Sequence, residues 1–251
     1  MTTKWNANQS ANQNADDGGR SIRELLRGLE VFAGTLPDFD PAAVPAEPVA
    51  LFVSWLSEAL AAGVREPHAM TLSTVDEAGE PQARVLILKN VDASGWQFAA
   101  HGGSPKGRQV AARPSAALTF YWPLQGRQIR VRGAVAAESA ERSAADFLAR
   151  SPRARAEALL GRQSRHLADP AERDLAMAAS LERVDRQPDL VAEEWRLYTL
   201  VPTDVEFWQG DKGRSHTRLR YERTESGSGV GSVADAAPAS HPRWRKRLLW
   251  P

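Results

Sequence analysis

Arg84 and Lys89 stand at the two ends of four aliphatic residues, Val85-Leu86-Ile87-Leu88. Four consecutive aliphatics, two of them β-branched, read as a short buried strand. Packing such a strand needs no cation at either end. Cations there make sense where the strand ends face an anion such as a phosphate. The plain alternative is a core strand flanked by two ordinary surface charges. Four further clusters carry chemistry-bearing residues. His101-Gly102-Gly103-Ser104-Pro105-Lys106-Gly107-Arg108 reads as a glycine-rich turn leaving a strand and ending in cations. Its exposed amides with Lys106 and Arg108 would cradle a phosphate, although glycines before a cation are common in ordinary loops. Tyr121-Trp122-Pro123-Leu124-Gln125-Gly126-Arg127-Gln128 reads as a hairpin whose aromatic pair serves equally well as core. Gly161-Arg162-Gln163-Ser164 groups polar residues in a helix-poor spot. Finally, Val205-Glu206-Phe207-Trp208-Gln209-Gly210 precedes Arg214-Ser215-His216-Thr217-Arg218. Alternation would place Arg214, His216 and Arg218 on one face of an extended segment. Three such groups repel one another without an anion between them, but solvated edge strands also carry charges of this kind.

The elements that must position these residues follow from periodicity. Residues 1–19 hold almost nothing to bury and are expected to be disordered. Ser21 to Val31 reads as a short helix with Ile22, Leu25, Leu26 and Leu29 on one face, followed by a proline-rich connector. Residues 49–62 form an amphipathic helix with Leu51, Phe52, Trp55, Leu56 and Leu60 at helical spacing and Gly63 at its end. From residue 69 the period changes to two. Strands are expected at Ala69–Val75, Arg84–Lys89, Trp96–Ala100, Ala116–Trp122 and Gln128–Ala136. In the last of these, Ile129 and Val131 face one way and Gln128, Arg130 and Arg132 the other. Ser139 is a candidate N-cap for a helix to about Ala149, and 153–160 and 171–184 are helical in pattern. Strands resume at Arg196–Leu200, Val205–Trp208, Arg218–Arg223 and Trp244–Leu249, with a low-complexity insertion, Thr224–His241, between the last two. The expected fold is mainly β with helices, an α+β antiparallel barrel with helices packed outside.

Composition narrows the function classes. A chain of 251 residues, 42% apolar and 25% charged, is long enough for one sizeable core. A formal net charge of +1 argues against a nucleic-acid partner, despite the basic stretches Gly126–Arg132 and Arg243–Arg247. The absence of cysteine excludes disulfides, thiol nucleophiles and Cys-based metal sites, and no metal is expected. The N-terminal stretch reads as neither signal peptide nor anchor, and no segment approaches the ~20 apolar residues of a membrane span. The expected location is therefore the cytoplasm, with no membrane partner.

Taken together, the clusters resemble the pyridoxine/pyridoxamine 5′-phosphate oxidase family, the FMN-dependent split-barrel flavoproteins. The resemblance runs from about Leu51 to Pro251, and the motifs occur in family order: Arg84–Lys89, Ser104–Arg108, Phe120-Tyr121-Trp122 through Gln128, Gln163-Ser164, Glu206–Gly210, and Arg214-x-His216-x-Arg218. Arg247-Leu248-Leu249-Trp250-Pro251 is similar to the family's Arg-Leu-x-Pro terminus. It implies a single FMN-binding split-barrel oxidase domain over residues 20–251, acting as a homodimer with FMN between subunits. FMN contacts are implied for Arg84, Lys89, Lys106, Gln128, Gln163 and Ser164, with Trp208 and Arg218 supplied at the dimer interface. Lys89, Arg150, Arg214 and His216 are implied at the substrate, Arg214 and His216 as the catalytic pair that places it over the flavin. The implied reaction converts pyridoxine or pyridoxamine 5′-phosphate to pyridoxal 5′-phosphate by hydride transfer to flavin N5, with O2 reduced to H2O2.

The chain departs from the family pattern at the substrate's phosphate clamp. A Tyr, an Arg and a Ser are replaced by Asp146, Arg150 and Ala154. Asp146 would repel a phosphate and Ala154 cannot donate to one. Arg153 and Arg155 are candidate substitutes, Pro105 stands where the family has an Arg, and Arg23 and Arg27 are the nearest candidates for a substrate-covering segment. Two alternatives therefore stay open: an FMN-dependent oxidase of another substrate, such as a dihydrophenazine-like metabolite, and a non-catalytic FMN or pyridoxal-phosphate binding protein.

Overall fold

The structure, a computed structural model, describes residues 20–224 and 243–251. The expected tail, 1–19, and all of the expected insertion except Thr224 lie outside the described residues. Helix α1 (Ile22–Arg27) is opened by Ser21, whose hydroxyl accepts from the Glu24 N–H while the Glu24 carboxylate accepts from the Ser21 N–H. It is shorter than the expected 21–31 helix and buries none of its residues; Leu26 and Leu29 are exposed. Helix α2 (Pro48–Ala61) buries Leu51, Phe52, Trp55 and Ala59. Leu60, expected in the core, is exposed, and Ala59 takes its place.

Nine strands follow with helices between them: β1 (Ala69–Val75), β2 (Pro81–Ile87), β3 (Asn90–Asp92), β4 (Gly95–His101), α3 (Pro105–Ala112), β5 (Ser115–Trp122), β6 (Arg127–Ala137), α4 (Ala140–Leu148), α5 (Pro152–Leu159), α6 (Pro170–Arg186), β7 (Trp195–Gln209), β8 (Thr217–Thr224) and β9 (Arg243–Leu249). Every pairing is antiparallel, in the order β2-β1-β5-β6-β7-β4-β3, with β8 also on β7 and β9 outside β8. The expected strands Arg196–Leu200 and Val205–Trp208 are one strand. Its first half pairs with β4, its second half with β8, and β6 runs along the opposite edge of both. Pro202 reads as a break in sequence but sits beside a bulge at Arg132/Gly133. A Cβ on Gly133 would lie 2.0 Å from the Val201 carbonyl oxygen, so the bulge requires glycine.

The stretch between β2 and β3 closes the sheet on itself. The Leu88 N–H donates to the His68 carbonyl, beside β1, at 2.9 Å. The next amide, that of Lys89, donates to the Gln97 carbonyl of β4 at 2.8 Å. Successive amides of an extended chain point to opposite sides, so two adjacent residues join two strands that do not otherwise pair. The expectation of a buried strand at Arg84–Lys89 is corrected here. Strand β2 ends at Ile87 and lies at the sheet edge, so only Arg84, Leu86 and Leu88 turn inward, while Val85 is 66% and Ile87 40% exposed.

Helix α2 plugs the interior. Phe52 meets Trp96 and Phe120 edge-on, and Trp55 meets Phe207 in the same way at 5.2 Å. Arg127, 1% exposed, lies over the Trp55 ring at 4.1 Å, donates to Glu58 Oε2 at 2.7 Å, and donates to Gln209 Oε1 at 2.9 Å. This buried cation ties the plug to the wall. Glu58→Ala leaves the guanidinium without its carboxylate; because Glu58 is itself partly exposed, the expected loss is about 2 kcal/mol, checked by urea denaturation.

Candidate active site

The sequence-selected residues fall into two groups at opposite ends of β7. That strand is 15 residues long, so its ends lie on the order of 40 Å apart before the curl of the sheet is counted. The first group gathers where β4 hands over to α3. Here the structure corrects the glycine-rich turn: the chain turns helical at Pro105, with Ser104 as N-cap accepting from the Gly107 N–H. A Cβ on Gly107 would meet the Gly102 carbonyl oxygen at 2.3 Å, so glycine lets the helix start lie against the end of β4.

Lys106 therefore stands in the first turn of α3, facing Arg84. Arg84 Nη1 donates to Thr74 Oγ1 at 2.5 Å and Nη2 to Gln109 Oε1 at 3.1 Å. Burial pulls the Lys106 ammonium below its ordinary pKa, and the Arg84 charge pulls it further down, against the Glu157 carboxylate. Burial also lowers Arg84. Among the described residues neither cation forms an ion pair. Two adjacent, partly desolvated cations at a helix start have the charge and the donors to accept an anion. Gln163 and Ser164 lie in the turn after α5. Ser164 adopts a left-handed φ of 64°, and Gln163 Oε1 is buried without a partner.

Lys89 and Arg150 are differently placed. Lys89 Nζ pairs with Asp146 Oδ1 of α4 at 3.1 Å, and Asp146 Oδ2 accepts from Trp195 Nε1 at 2.9 Å. The Arg150 guanidinium lies 4.1 Å over the same Trp195 ring, with Glu157 Oε2 at 3.7 Å from Nη2, and its Nη1 is buried without a partner. Arg155 is no substitute clamp: it is buried beneath α5, donating to the Pro188 and Leu190 carbonyls. Arg153 opens with Ala154, Glu157 and Gln163 onto a cavity of about 1310 Å³ beside α6.

The second group forms at the far end of β7. Gln128 of β6 lies opposite Trp208, and Trp208 lies opposite Arg218 of β8. The expected common face of Arg214, His216 and Arg218 does not form, because strand β8 begins only at Thr217. Arg214 sits in the preceding turn with φ 69°, its N–H donating to the Asp211 carbonyl. His216 Nδ1 accepts from the Asp211 N–H, and its ring lies 5.0 Å from Trp208. Phe32, from the connector after α1, caps both rings at 5.8 and 5.9 Å. Arg218 donates to Glu206 at 2.8 and 3.0 Å, and Arg220 adds a third bond at 3.0 Å.

Sequence reasoning missed the partners: Asp146 for Lys89, Thr74 and Gln109 for Arg84, Glu206 for Arg218, and Phe32. Asp146 was visible only as a departure from a pattern; its partner lies far away in the chain. Glu206 had a signal, a carboxylate at a strand position flanked by arginines on β6 and β8.

The architecture is that of the split-barrel flavoproteins. A model of the pyridoxamine 5′-phosphate oxidase family matches residues 56–183, and one of the pyridoxine 5′-phosphate oxidase C-terminal dimerisation region matches 195–251. The chain is 44% identical over 180 residues to the pyridoxine/pyridoxamine 5′-phosphate oxidase of Pseudomonas syringae pv. tomato, covering 70% of this chain and 83% of that one. It is 41% identical over 191 residues to the Azotobacter vinelandii protein of the same name, covering 75% and 88%. The crystal structure of PhzG from Burkholderia lata, in complex with tetrahydrophenazine-1-carboxylic acid, superposes with a TM-score of 0.75 at 27% identity, over 87% of this chain and all of that one. An FMN-binding protein from Nostoc punctiforme, 17% identical with a TM-score of 0.62 over 82% of this chain and 98% of that one, shares the fold. The chain belongs to the pyridoxamine 5′-phosphate oxidase family, whose members are FMN-dependent oxidoreductases.

Burial pushes the Glu206 carboxyl up, but the hydrogen bonds from Arg218 and Arg220 and the charges of Arg218 and Arg130 outweigh it, leaving the pKa below its ordinary 4.5. A lowered folded pKa stabilises at pH above the unfolded value and loses that stabilisation as pH falls through the folded one. Glu206→Gln is therefore expected to be less stable than the parent at pH 7, by about 1–3 kcal/mol, with the gap narrowing as pH drops below 4.5. Urea denaturation at both ends of that range checks it.

Proposed function

We propose that the protein is a homodimeric FMN-dependent oxidase. The observation that carries this reading is the Arg84–Lys106 pair, two neighbouring cations that form no ion pair among the described residues, the Glu157 carboxylate acting on Lys106 only from beyond contact. A dianionic phosphate is the ligand their charge and donors match. The unpartnered Gln163 Oε1 and the adjacent Ser164 would add polar contacts on the same side. Gln128, Trp208 and Arg218 stand at the other end of β7, too far off to reach one cofactor with the first group. In a pair of chains the second copy supplies them, along with Arg214 and His216 for the substrate. The match to the family's C-terminal dimerisation region supports that assembly.

FMN, held by Arg84, Lys106, Gln163 and Ser164, would supply a two-electron acceptor for a hydride from the substrate, with O2 as the final oxidant and H2O2 as its product. The protein's part is to orient. His216 is fixed by the Asp211 amide and by Trp208, which holds its ring plane. Arg214, exposed in its turn, remains available for a substrate oxygen.

Two substrate classes fit. Pyridoxine or pyridoxamine 5′-phosphate is supported by the names of relatives at 40–44% identity. A phosphate-free reduced heterocycle is favoured by the Lys89–Asp146 pair and is the kind of ligand held by the PhzG structure. Anaerobic addition of pyridoxine 5′-phosphate to the FMN-loaded protein tests the first. Bleaching of the flavin, reversed by air with pyridoxal 5′-phosphate formed, establishes it. A flavin that only dithionite reduces rejects it, and reduced phenazines are then the substrates to add.

Two variants test the site. Lys106→Ala is expected to weaken FMN binding on the order of 10- to 100-fold, the loss of one charge-assisted phosphate contact; unchanged flavin content after desalting rejects the assignment. Arg214→Ala should slow flavin reduction by substrate about 10-fold or more while FMN stays bound. Equal reduction rates would remove Arg214 from the site.

A further inference from the structure

Four cations lie near the junction of β4, α3 and the α4–α5 helices, and they divide sharply by compensation. Arg84 and Lys106 form no ion pair among the described residues, and Glu157, which touches Arg150 instead, acts on Lys106 only from beyond contact, so a phosphate dianion arriving there meets net positive charge. Lys89 and Arg150 are already balanced. Asp146 holds Lys89 at 3.1 Å, Glu157 lies 3.7 Å from Arg150, and that group starts neutral. A dianion arriving there would leave it at −2 or would have to break the Lys89–Asp146 pair.

The pair is not a casual surface contact. Asp146 is 13% exposed in its side chain, and its second oxygen is taken by the Trp195 indole N–H at 2.9 Å. Trp195 is in turn held by Arg150 over its ring at 4.1 Å and by Phe147 edge-on at 5.8 Å. The carboxylate is thus held through both of its oxygens and cannot swing away without leaving a buried N–H unpaired. On α5, Arg155 is spent on two backbone carbonyls, and Arg153 lines the cavity beside α6 without an ion pair to the Lys89–Asp146 group.

We infer that Asp146 is the specificity-determining residue of this oxidase and that it selects a substrate carrying no phosphate group, the cofactor's being the one phosphate the site accepts. The inference rests on the FMN-oxidase reading and decides between its two substrate classes. What remains for a substrate at this end is the unpartnered Nη1 of Arg150 and the Lys89 N–H groups that Asp146 does not take, which suit a neutral acceptor or one carboxylate oxygen.

The test is calorimetric titration of the FMN-loaded protein with 4′-deoxypyridoxine and, separately, with its 5′-phosphate. Neither carries an aldehyde to react with lysines. The parent is expected to bind both within about three-fold of each other, because the phosphate meets no net positive charge. Asp146→Asn frees Lys89 yet keeps a carbonyl oxygen for the Trp195 N–H. It should shift preference toward the phosphate form by about ten-fold or more, and Asp146→Glu should retain the parent pattern. A parent that prefers the phosphate form ten-fold or more overturns the inference, whichever cation is responsible. So does an Asp146→Asn variant that leaves the ratio unchanged or binds neither ligand while retaining FMN. If Asp146→Asn itself fails to hold FMN or to fold, the parent's own ratio decides alone. Flavin content is read independently from absorbance after desalting. Loss of the FMN reading would appear there and loss of the oxidase reading in the anaerobic bleaching test, while the titrations still report the phosphate preference of the chain.

Discussion

Two consecutive backbone amides hold the barrel together. The N–H groups of Leu88 and Lys89 point in opposite directions and join the β1 and β4 sides of one continuous sheet. Backbone groups buried in such a wall must find partners, so this crossing point has little freedom in register. The register then fixes everything around it. Arg84, an even number of residues before Leu88, must turn inward toward Thr74 and Gln109, while Lys89 must turn outward toward α4. The two cations that bracket the aliphatic run therefore leave the chain on opposite faces. One joins the uncompensated pair with Lys106, and the other meets a carboxylate.

Electrostatic compensation, rather than the mere presence of cations, distinguishes the parts of this molecule. Arg127 is the most deeply buried charge among the described residues, and it is matched by Glu58 and Gln209, which makes it a structural fastening. Glu206 is matched by three arginines from two neighbouring strands. Against that background of paired charge, Arg84 and Lys106 stand out. A charge left without a counter-ion in a partly desolvated place costs stability. A fold that tolerates such a cost is generally holding a place for a ligand.

Much of this was legible in the chain. Alternation in Gln128–Ala136 gave the inward Ile129 and Val131 and the outward Gln128, Arg130 and Arg132, because one face of β6 meets the core and the other does not. Strand β1 was legible to the residue, and Ser139 does cap its helix. What failed shares a cause. Four aliphatics in a row announce burial, but β2 is an edge strand, and edge status is a property of the whole sheet rather than of a hexapeptide. Pro202 announces a break, yet a bulge on the neighbouring strand absorbs it. Pro105 reads as part of a loop, while its position directly after a serine cap makes it the first residue of a helix. The pairing of Lys89 with Asp146 was illegible for a plainer reason: a contact between residues far apart in sequence has no periodicity to betray it.

Strand β7 has one further consequence. In the two-chain site proposed above, its first residues serve one cofactor and its last residues the other. No single chain could then complete a site by itself, however well it folded. Assembly and cofactor capture would become a single event governed by mass action, with each flavin acting as a clasp between chains. Dilution would release cofactor and separate subunits together, and the stiffness of one 15-residue strand would set the spacing of two reaction centres.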